Sequence, residues 1–220
     1  MSCDPSFVRN MLRLYAVTDS RWLRGETLCS QVERAILGGA TCVQLREKHL
    51  SGKGLYAQAA ELSALCRRYG VPLIVNDNVE LALEIGADGV HVGQSDMQAG
   101  AVRRMAGDRL ILGVTAKTVE QAKEACAAGA DYLGSGAVFG TETKMDARPM
   151  SRETLESIVR SVPIPVVAIG GINRQNIASL AGTGVAGAAV VSGIFAAQDI
   201  ENECRFLREI CERIAGGCAA

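Results

Sequence analysis

Gly86-Ala87-Asp88-Gly89-Val90 and Gly129-Ala130-Asp131-Tyr132-Leu133 share one pattern, in which a glycine ends a helix-like segment and an apolar run follows at once. Gly39-Ala40-Thr41-Cys42-Val43 is a looser third copy. A glycine just past a helix permits the left-handed backbone that helix ends favour, and short apolar runs rich in β-branched residues are typical of strands. The repeat therefore indicates a chain in which helices and strands alternate.

Eight apolar runs of this kind divide the chain and leave room for a helix after each of them. They are Leu14 to Thr18, Thr41 to Leu45, Pro72 to Asn76, Gly89 to Gly93, Leu110 to Thr115, Tyr132 to Phe139, Pro165 to Gly170 and Gly187 to Ser192. Continuous hydrophobic runs such as the seventh suit parallel strands that are covered on both faces. Strict alternation of eight strands with eight helices predicts an α/β fold, the (β/α)₈ TIM barrel, with a doubly wound open sheet as the alternative.

Length agrees with one domain, because 220 residues fall within the usual size of a barrel and no linker-like stretch interrupts them. We expect a single domain over residues 1–220, with the segment up to about residue 12 and the tail from about residue 216 at its periphery. The eight cysteines include no C-x-x-C pair, so reduced thiols packed as small hydrophobic groups are expected.

Charge and apolar content limit the partners. A formal net charge of −1 provides no field for holding nucleic acid, and no uncharged apolar run is long enough to span a membrane. The first residues lack the basic and apolar regions of a signal peptide, which favours a cytoplasmic protein. We therefore expect small-molecule partners, and the sequence leaves the oligomeric state open, a homo-oligomer included.

Polar residues at the carboxyl ends of the predicted strands are the candidates for chemistry, because barrels build their active sites there. The second strand ends in Gln44-Leu45-Arg46-Glu47-Lys48. Alternation along a strand places Gln44, Arg46 and Lys48 on one side, which would turn an amide and two cations toward the barrel axis. A solvated charged loop is the alternative, but the position at a strand end favours an anion site.

Acidic residues follow two neighbouring strands. Asn76-Asp77-Asn78 ends the third strand, and Gly93-Gln94-Ser95-Asp96 follows the fourth. Sparse hard oxygen ligands, with room left for phosphate oxygens and water, are what Mg²⁺ prefers. Asp77 and Asp96 are therefore the predicted Mg²⁺ ligands, and a helix N-cap is the alternative for each, since a helix is predicted after both.

The loops after the last three strands carry groups that suit phosphate, namely hydroxyls, an ammonium and glycines that let a ligand approach the backbone. These residues are Thr141, Thr143, Lys144, Gly170, Gly171, Val191 and Ser192. Barrels often bind phosphate with the loops after strands seven and eight. A generic polar loop is the alternative for the stretch after strand six. His91, in the middle of a strand, is interpreted as structural or site-lining rather than as a general base.

These motifs, taken in order, resemble the thiamin phosphate synthase family. The matching stretches are Gln44-Leu45-Arg46-Glu47-Lys48, Asn76-Asp77, His91-Val92-Gly93-Gln94 with Asp96, Thr141-Glu142-Thr143-Lys144, Ala168-Ile169-Gly170-Gly171-Ile172 and Val191-Ser192. The resemblance extends from Leu14 to Ile194. It implies a Mg²⁺-assisted reaction of 4-amino-2-methyl-5-hydroxymethylpyrimidine diphosphate with 4-methyl-5-(2-hydroxyethyl)thiazole phosphate, which gives thiamin phosphate and pyrophosphate.

The resemblance also implies roles for individual residues. The pyrimidine diphosphate would be held by Gln44, Arg46, Lys48, Asn76 and Lys144, and its Mg²⁺ by Asp77 and Asp96. The thiazole phosphate would be held by Thr141, Thr143, Gly170, Gly171, Val191 and Ser192. Thr115 would place its hydroxyl near the amino group of the pyrimidine. The predicted catalytic residues are Arg46, Lys48, Lys144 and Thr115, three of them cations that can stabilise the charge growing on a departing diphosphate.

Two positions depart from the family's pattern. Gly140 stands where a proline is common, which should loosen the loop that follows, and Thr115 stands where a serine is usual, which adds a methyl group. An isomerase similar to the thiazole tautomerases and a non-catalytic barrel that binds thiamin phosphate are the alternatives. Retention of Lys48, Asp77, Asp96 and Lys144 favours the synthase, because the tautomerase branch lacks the metal and diphosphate apparatus.

Overall fold

The computed structural model describes residues 4–140 and 149–216. Among these residues eight parallel strands close into a barrel in chain order, with the last strand paired to the first. The strands are β1 (Leu14–Val17), β2 (Cys42–Leu45), β3 (Leu73–Asn76), β4 (Gly89–Val92), β5 (Ile111–Thr115), β6 (Tyr132–Ser135), β7 (Val166–Ile169) and β8 (Gly187–Val190). The predicted TIM barrel is confirmed, and the open doubly wound sheet is excluded.

Helices within the described ranges accompany the strands. They are α1 (Pro5–Met11), α2 (Leu28–Leu37), α3 (Gly52–Tyr69), α4 (Val79–Glu84), α5 (Ala99–Ala106), α6 (Val119–Ala127), α7 (Arg152–Ser161), α8 (Ser192–Phe195) and α9 (Ile200–Gly216). Short 3₁₀ turns lie at Ser20–Trp22, Gly107–Arg109 and Ile177–Leu180. Several helices begin at a side chain that accepts a free backbone N–H, as Thr118 does from Gln121 at 3.2 Å.

The repeated Gly-Ala-Asp motif ties each strand to the strand before it. Asp88 Oδ2 accepts a hydrogen bond from the backbone N–H of Leu73 at 2.8 Å, and Asp131 Oδ2 accepts one from Leu112 at 2.7 Å. In the looser copy, the Thr41 hydroxyl does the same for the first residue of β1 at 2.9 Å. These side chains satisfy backbone donors near the start of a strand, so the repeat holds neighbouring strands in register.

Apolar side chains form two clusters, one between the strands and the helices and one inside the barrel. Ile74, Ile111 and Val167 belong to the inner cluster, and Val8 and Met11 of α1 join it. These two α1 side chains are 2% and 3% exposed, a degree of burial that stabilises the fold by about 1.5–3 kcal/mol for each side chain. The segment expected at the periphery thus closes the amino-terminal end of the barrel.

The sixth strand ends earlier than predicted, at Ser135 rather than at Phe139. Beyond it, Gly136 passes so close to β7 that an added Cβ would lie 1.8 Å from the Ile169 carbonyl oxygen. The chain stays attached to that neighbour, because the Val138 N–H donates to the same oxygen at 3.0 Å. A glycine that allows this approach therefore replaces regular pairing with a closely packed extension.

The connection from β7 to β8 contains the 3₁₀ turn Ile177–Leu180 where an α-helix was predicted. Gly182 and Gly184 follow it with φ angles of 80° and 81°, and Gly170 and Gly171 precede it with φ angles of 104° and 67°. Left-handed glycines therefore bound this connection on both sides.

Within the part of the chain that the structure describes, no helix is long and apolar enough to cross a membrane. The described cysteines are free thiols. Burial raises the pKa of Cys66, Cys204 and Cys211 to about 12, so these groups are packed as neutral hydrophobic side chains. Cys3 and Cys218 lie outside the described residues.

Candidate active site

A cavity of about 1000 Å³, including the solvent at its mouth, opens at the carboxyl ends of the strands. Residues predicted as substrate ligands line it from five different strands or the loops that follow them. They are Gln44, Arg46, Asn76, Thr115, Gly170, Gly171, Val191 and Ser192.

Arg46 is held by a buried carboxylate at the end of β1. Its Nη1 atom lies 3.3 Å from Asp19 Oδ2, and Arg21 Nη2 contacts the same oxygen at 2.7 Å. Burial acts to raise the pKa of Asp19, but hydrogen bonds from Arg21 and the charges of both arginines outweigh it, so the pKa is lowered. A charged Asp19 therefore fixes the Arg46 guanidinium while one side of it still borders the cavity.

Lys48 lies beside the main cavity rather than in it. It lines a smaller hollow with Asp19, Arg21, Arg46 and His49. Gln44 and Arg46 share the main cavity as alternation predicts, but β2 ends at Leu45 and its alternation does not extend as far as Lys48. Arg46 lines both spaces and is the residue that they share.

Asp77 and Asp96 follow neighbouring strands, β3 and β4. Asp77 has a φ of 64°, and its N–H donates to the His91 carbonyl oxygen at 2.8 Å, while its carboxylate accepts from the Asn76 amide. Asp tolerates this left-handed backbone, and such positions cluster at functional sites. Asp96 Oδ2 accepts from the Gly93 N–H at 2.8 Å.

Neither carboxylate caps a helix, which was the alternative for both. The N-cap of α4 is Asn78, and that of α5 is Gln98. Across residues 4–140 and 149–216, no three His, Cys, Asp or Glu side chains are grouped so as to hold a metal by themselves. Two carboxylates that leave the remaining positions to phosphate oxygens and water fit the preferences of Mg²⁺.

A hydrogen-bonded chain of polar side chains lies inside the barrel, and its members other than Tyr132 line the cavity. Gln44 Nε2 lies 2.7 Å from the Tyr15 hydroxyl, and the Tyr15 hydroxyl lies 3.0 Å from that of Tyr132. Nδ1 of His91 lies 3.1 Å from the Tyr132 hydroxyl, and its Nε2 lies 3.0 Å from Thr115 Oγ1. His91 is thus site-lining and hydrogen-bonded on both ring nitrogens, in agreement with the structural interpretation of this residue.

Two glycines leave room for the rings of these hydrogen-bonded side chains. A Cβ at Gly113 would lie 2.2 Å from Tyr132 Cζ and 2.5 Å from His91 Nδ1, and one at Gly134 would lie 3.0 Å from His91 Cε1. Any side chain at position 113 would therefore displace the two rings. The Tyr132 and His91 rings, 5.5 Å apart between centroids, fill the space that these glycines leave.

The opposite wall of the cavity is mostly backbone. Gly170 and Gly171 follow β7, and Val191 and Ser192 follow β8 at the start of α8. A Cβ at Gly171 would lie 2.3 Å from the Gly140 carbonyl oxygen, so the two loops approach each other closely. This wall therefore offers backbone groups and a hydroxyl, whereas the wall at β2 offers charged side chains.

Thr141, Thr143 and Lys144 lie outside the described residues. Sequence reasoning missed Tyr15 and Lys117, which line the cavity, and Asp19, which holds Arg46. Lys117 stands two residues after Thr115, so alternation beyond β5 would have found it, and Asp19 lies in the polar stretch from Thr18 to Arg21 that directly follows a strand. Tyr15 gives no such signal, because an aromatic residue inside an apolar run is typical of the core.

Known proteins resemble this chain over most of its length. A family model described as thiamine monophosphate synthase matches residues 14–194. The thiamine-phosphate synthase of Ruminiclostridium cellulolyticum is 52% identical over 197 residues, which are 90% of this chain and 94% of that one. That of Chloroflexus aurantiacus is 50% identical over 199 residues, 90% and 92% of the two chains.

Solved structures agree. The thiamine phosphate pyrophosphorylase from Pyrococcus furiosus superposes with a TM-score of 0.86 at 41% identity, covering 94% of this chain and 98% of that one. The 3-hexulose-6-phosphate synthase from Salmonella typhimurium superposes with a TM-score of 0.67 at 16% identity, covering 90% and 97%. The second likeness indicates a common barrel fold and nothing more about chemistry.

Proposed function

The chain belongs to the thiamine monophosphate synthase family, and we propose on that basis that it is a transferase that makes thiamin phosphate. Its substrates are 4-amino-2-methyl-5-hydroxymethylpyrimidine diphosphate and 4-methyl-5-(2-hydroxyethyl)thiazole phosphate, and pyrophosphate is the second product. The observation that most supports this is one cavity with Arg46, Asn76 and Thr115 on one side and Gly171 and Ser192 on the other. A cytoplasmic site of action, expected from the amino-acid sequence, is part of the proposal.

The diphosphate is proposed to bind at the β2 side of the cavity. Arg46 presents a guanidinium that Asp19 orients, and planar guanidinium groups match phosphate oxygens well. Lys48 lies in the adjoining hollow, from which an ammonium can reach an anion that spans both spaces. Lys144 is the third cation of this subsite by the family resemblance.

Asp77 and Asp96 are proposed to hold Mg²⁺, which when bound supplies positive charge to the diphosphate oxygens. The carboxylates follow neighbouring strands, β3 and β4, and the backbone of Asp77 is tied to β4 through the His91 carbonyl. That tie holds β3 and β4 together where both acidic residues leave the sheet. The carboxylates would otherwise repel a diphosphate, so the proposal requires a cation between them.

The reaction breaks the carbon–oxygen bond between the pyrimidine methylene and the diphosphate, and the electron pair leaves on oxygen. The amino-substituted ring delocalises the positive charge that remains on the methylene carbon. The thiazole nitrogen then gives its lone pair to that carbon and forms the new carbon–nitrogen bond. The atoms and electrons balance without proton transfer, so the site needs cations around the leaving group rather than a strong base.

The thiazole phosphate is proposed to bind against the loops after β7 and β8. Gly170 and Gly171 carry no side chain that would keep a phosphate from the backbone, and Ser192 adds a hydroxyl. Backbone N–H groups suit a phosphate that is held but not transferred. Thr141 and Thr143 complete this subsite by the family resemblance.

A direct assay tests the proposal. The protein is incubated with both substrates and Mg²⁺, and thiamin phosphate and pyrophosphate are measured. Equal amounts of the two products are expected. An isomerised thiazole formed without pyrophosphate would assign a tautomerase instead, and binding of thiamin phosphate without turnover would assign a binding protein.

A further inference from the structure

We propose that the buried chain of Gln44, Tyr15, Tyr132, His91 and Thr115 orients the Thr115 hydroxyl so that it donates to a ring nitrogen of the bound heterocycle. Tyr132 is then a positioning residue, which acts on the ligand through His91 and Thr115. The identity of the heterocycle, an aminopyrimidine, rests on the proposed function. Which group donates in each hydrogen bond from Gln44 to Thr115 depends on the protein alone.

The Gln44 amide sets the direction in which the side chains of this group donate their hydrogen bonds. Its Nε2 atom lies 2.7 Å from the Tyr15 hydroxyl oxygen, and an amide nitrogen donates but does not accept. Within the described ranges, the Tyr15 hydroxyl has one further hydrogen-bond neighbour, the Tyr132 hydroxyl at 3.0 Å. Tyr15 therefore accepts from Gln44 and donates to Tyr132.

Both tyrosines keep the proton that they donate. Tyr15 and Tyr132 are 1% and 0% exposed, and burial raises the pKa of each well above its ordinary value. Because the Tyr132 hydroxyl accepts from Tyr15, its own hydrogen points to its other neighbour, His91 Nδ1, at 3.1 Å.

His91 passes the direction on through its tautomer. A ring nitrogen that accepts a hydrogen bond carries no hydrogen, so the neutral imidazole holds its hydrogen on Nε2. Nε2 lies 3.0 Å from Thr115 Oγ1 and donates to it. The Thr115 oxygen thus accepts from the barrel interior, and its hydroxyl hydrogen is left for the cavity that this residue lines.

A hydroxyl hydrogen directed into the cavity selects a hydrogen-bond acceptor. The amino group, near which the family resemblance places the Thr115 hydroxyl, donates hydrogen bonds, whereas the unprotonated ring nitrogen next to the amino-bearing carbon accepts them. Donation to a ring nitrogen does not grow stronger while the diphosphate departs, because the ring then loses electron density. Loss of this hydrogen bond should therefore weaken binding of the pyrimidine and leave the rate of bond breaking nearly unchanged.

The tautomer of His91 is the first test, and it does not depend on activity. The chain has two histidines, so a His49→Gln variant leaves one imidazole to observe. Long-range ¹H–¹⁵N NMR spectra, recorded well above the unperturbed histidine pKa of about 6.5, distinguish a protonated ring nitrogen from an unprotonated one. We expect Nε2 to be protonated and Nδ1 to be bare. Protonation at Nδ1, or at both nitrogens, overturns the proposal.

A double-mutant cycle is the second test and examines whether Tyr132 acts through Thr115. Tyr132→Phe should raise the KM for the pyrimidine diphosphate roughly five- to tenfold, the value of one neutral hydrogen bond, and change kcat by less than about twofold. In a Thr115→Val background, the same change should alter that KM by less than about twofold. Tyr69→Phe, which removes an exposed hydroxyl bonded to Glu33, is the matched control and should alter nothing.

If the changes in KM caused by Tyr132→Phe and Thr115→Val multiply in the double variant, Tyr132 does not act through Thr115. That result would overturn its positioning role. If Tyr132→Phe does not fold, the NMR experiment on the His49→Gln protein still decides the direction of the chain. If the Nε2 tautomer is observed but the protein with both histidines forms no thiamin phosphate, the proposed function is refuted and the direction of the hydrogen bonds still stands.

Discussion

The two walls of the cavity differ in how they present charge. On the side of β2 to β4, the candidate groups are side chains: Arg46, which Asp19 holds, borders the cavity, and the carboxylates of Asp77 and Asp96 follow β3 and β4 beside it. On the side of β7 and β8, glycines expose backbone. Side-chain charges suit a place where a bond breaks and charge grows, and backbone suits a place where a phosphate is only held. Changes at the first wall should therefore alter the rate, and changes at the second should alter affinity.

The largest effect is expected at Asp77. Asp77→Ala should lower kcat roughly a thousandfold, because the diphosphate would lose the cation that screens it. Asp77→Asn is the matched control for the backbone, since Asn also tolerates a φ near 64°. Both variants should lose the Mg²⁺ dependence of the rate, measured by Mg²⁺ titration at saturating substrate. Near-normal activity of the folded Asp77→Ala protein at limiting Mg²⁺ would contradict the metal assignment.

Lys144 should come next, with a cost of about 2–4 kcal/mol in activation free energy for Lys144→Ala. Charge on the leaving oxygen grows as the bond breaks, so the loss should appear in kcat more than in substrate affinity. Lys144→Arg should restore part of the rate, because a planar guanidinium does not reproduce a compact ammonium. Single-turnover rates at saturating substrate measure the effect on the chemical step separately from the effect on affinity. A weakened diphosphate affinity with an unchanged rate would leave Lys144 as a binding residue only.

At the backbone wall, Gly171→Ala should raise the KM for the thiazole phosphate roughly tenfold and leave kcat within about twofold. A Cβ there would lie 2.3 Å from the Gly140 carbonyl oxygen, which would push apart the loops that form the subsite. Gly70→Ala is the matched control, because Gly70 has a φ of 65°, close to the 67° of Gly171, and nothing within 4 Å of an added Cβ. The positive φ should cost each variant about 1 kcal/mol of stability, to which the clash at position 171 adds, and the control should keep its KM values. A raised KM for the pyrimidine instead would show that the two subsites are exchanged.

The smallest effect is expected at Asp19, and it concerns the free energy of unfolding. Its pKa is lowered in the folded protein, so its contribution is complete above the unfolded value of about 3.9 and disappears as the pH falls through the lower folded value. Asp19→Asn should cost about 1 kcal/mol near neutral pH and nothing in strong acid. Urea unfolding of both proteins at the two pH values checks this. A difference that persists in strong acid would mean that packing, not charge, explains the loss.

The architecture could be predicted from the sequence because parallel strands covered on both sides are continuous apolar runs, and glycines mark the helix ends between them. The ends of the strands were harder to predict. In β6, the close approach at Gly136 ends regular pairing without any change in hydrophobicity. Gln44, Arg46, Asn76 and Thr115 could be placed at the mouth since alternation and strand ends suffice to locate them.

The chain from Gln44 to Thr115 could not be predicted in the same way. Tyr15 and Tyr132 are 117 residues apart and meet only when the barrel closes, so their hydrogen bond depends on the stagger of all the strands between them. Each tyrosine alone looks like a core residue. Asp19 is a different case, since its polar position after β1 was visible but its partner, Arg46, lies 27 residues further on.

The space at Gly113 links the evolution of two positions. The Tyr132 ring occupies the volume that a side chain at position 113 would need, with only 2.2 Å between Cζ and an added Cβ. A relative can therefore enlarge residue 113 only if residue 132 becomes much smaller, and it would then lose the hydroxyl that His91 meets. Glycine and tyrosine at these positions should be inherited as a pair, and a lineage that gives up one should give up the other.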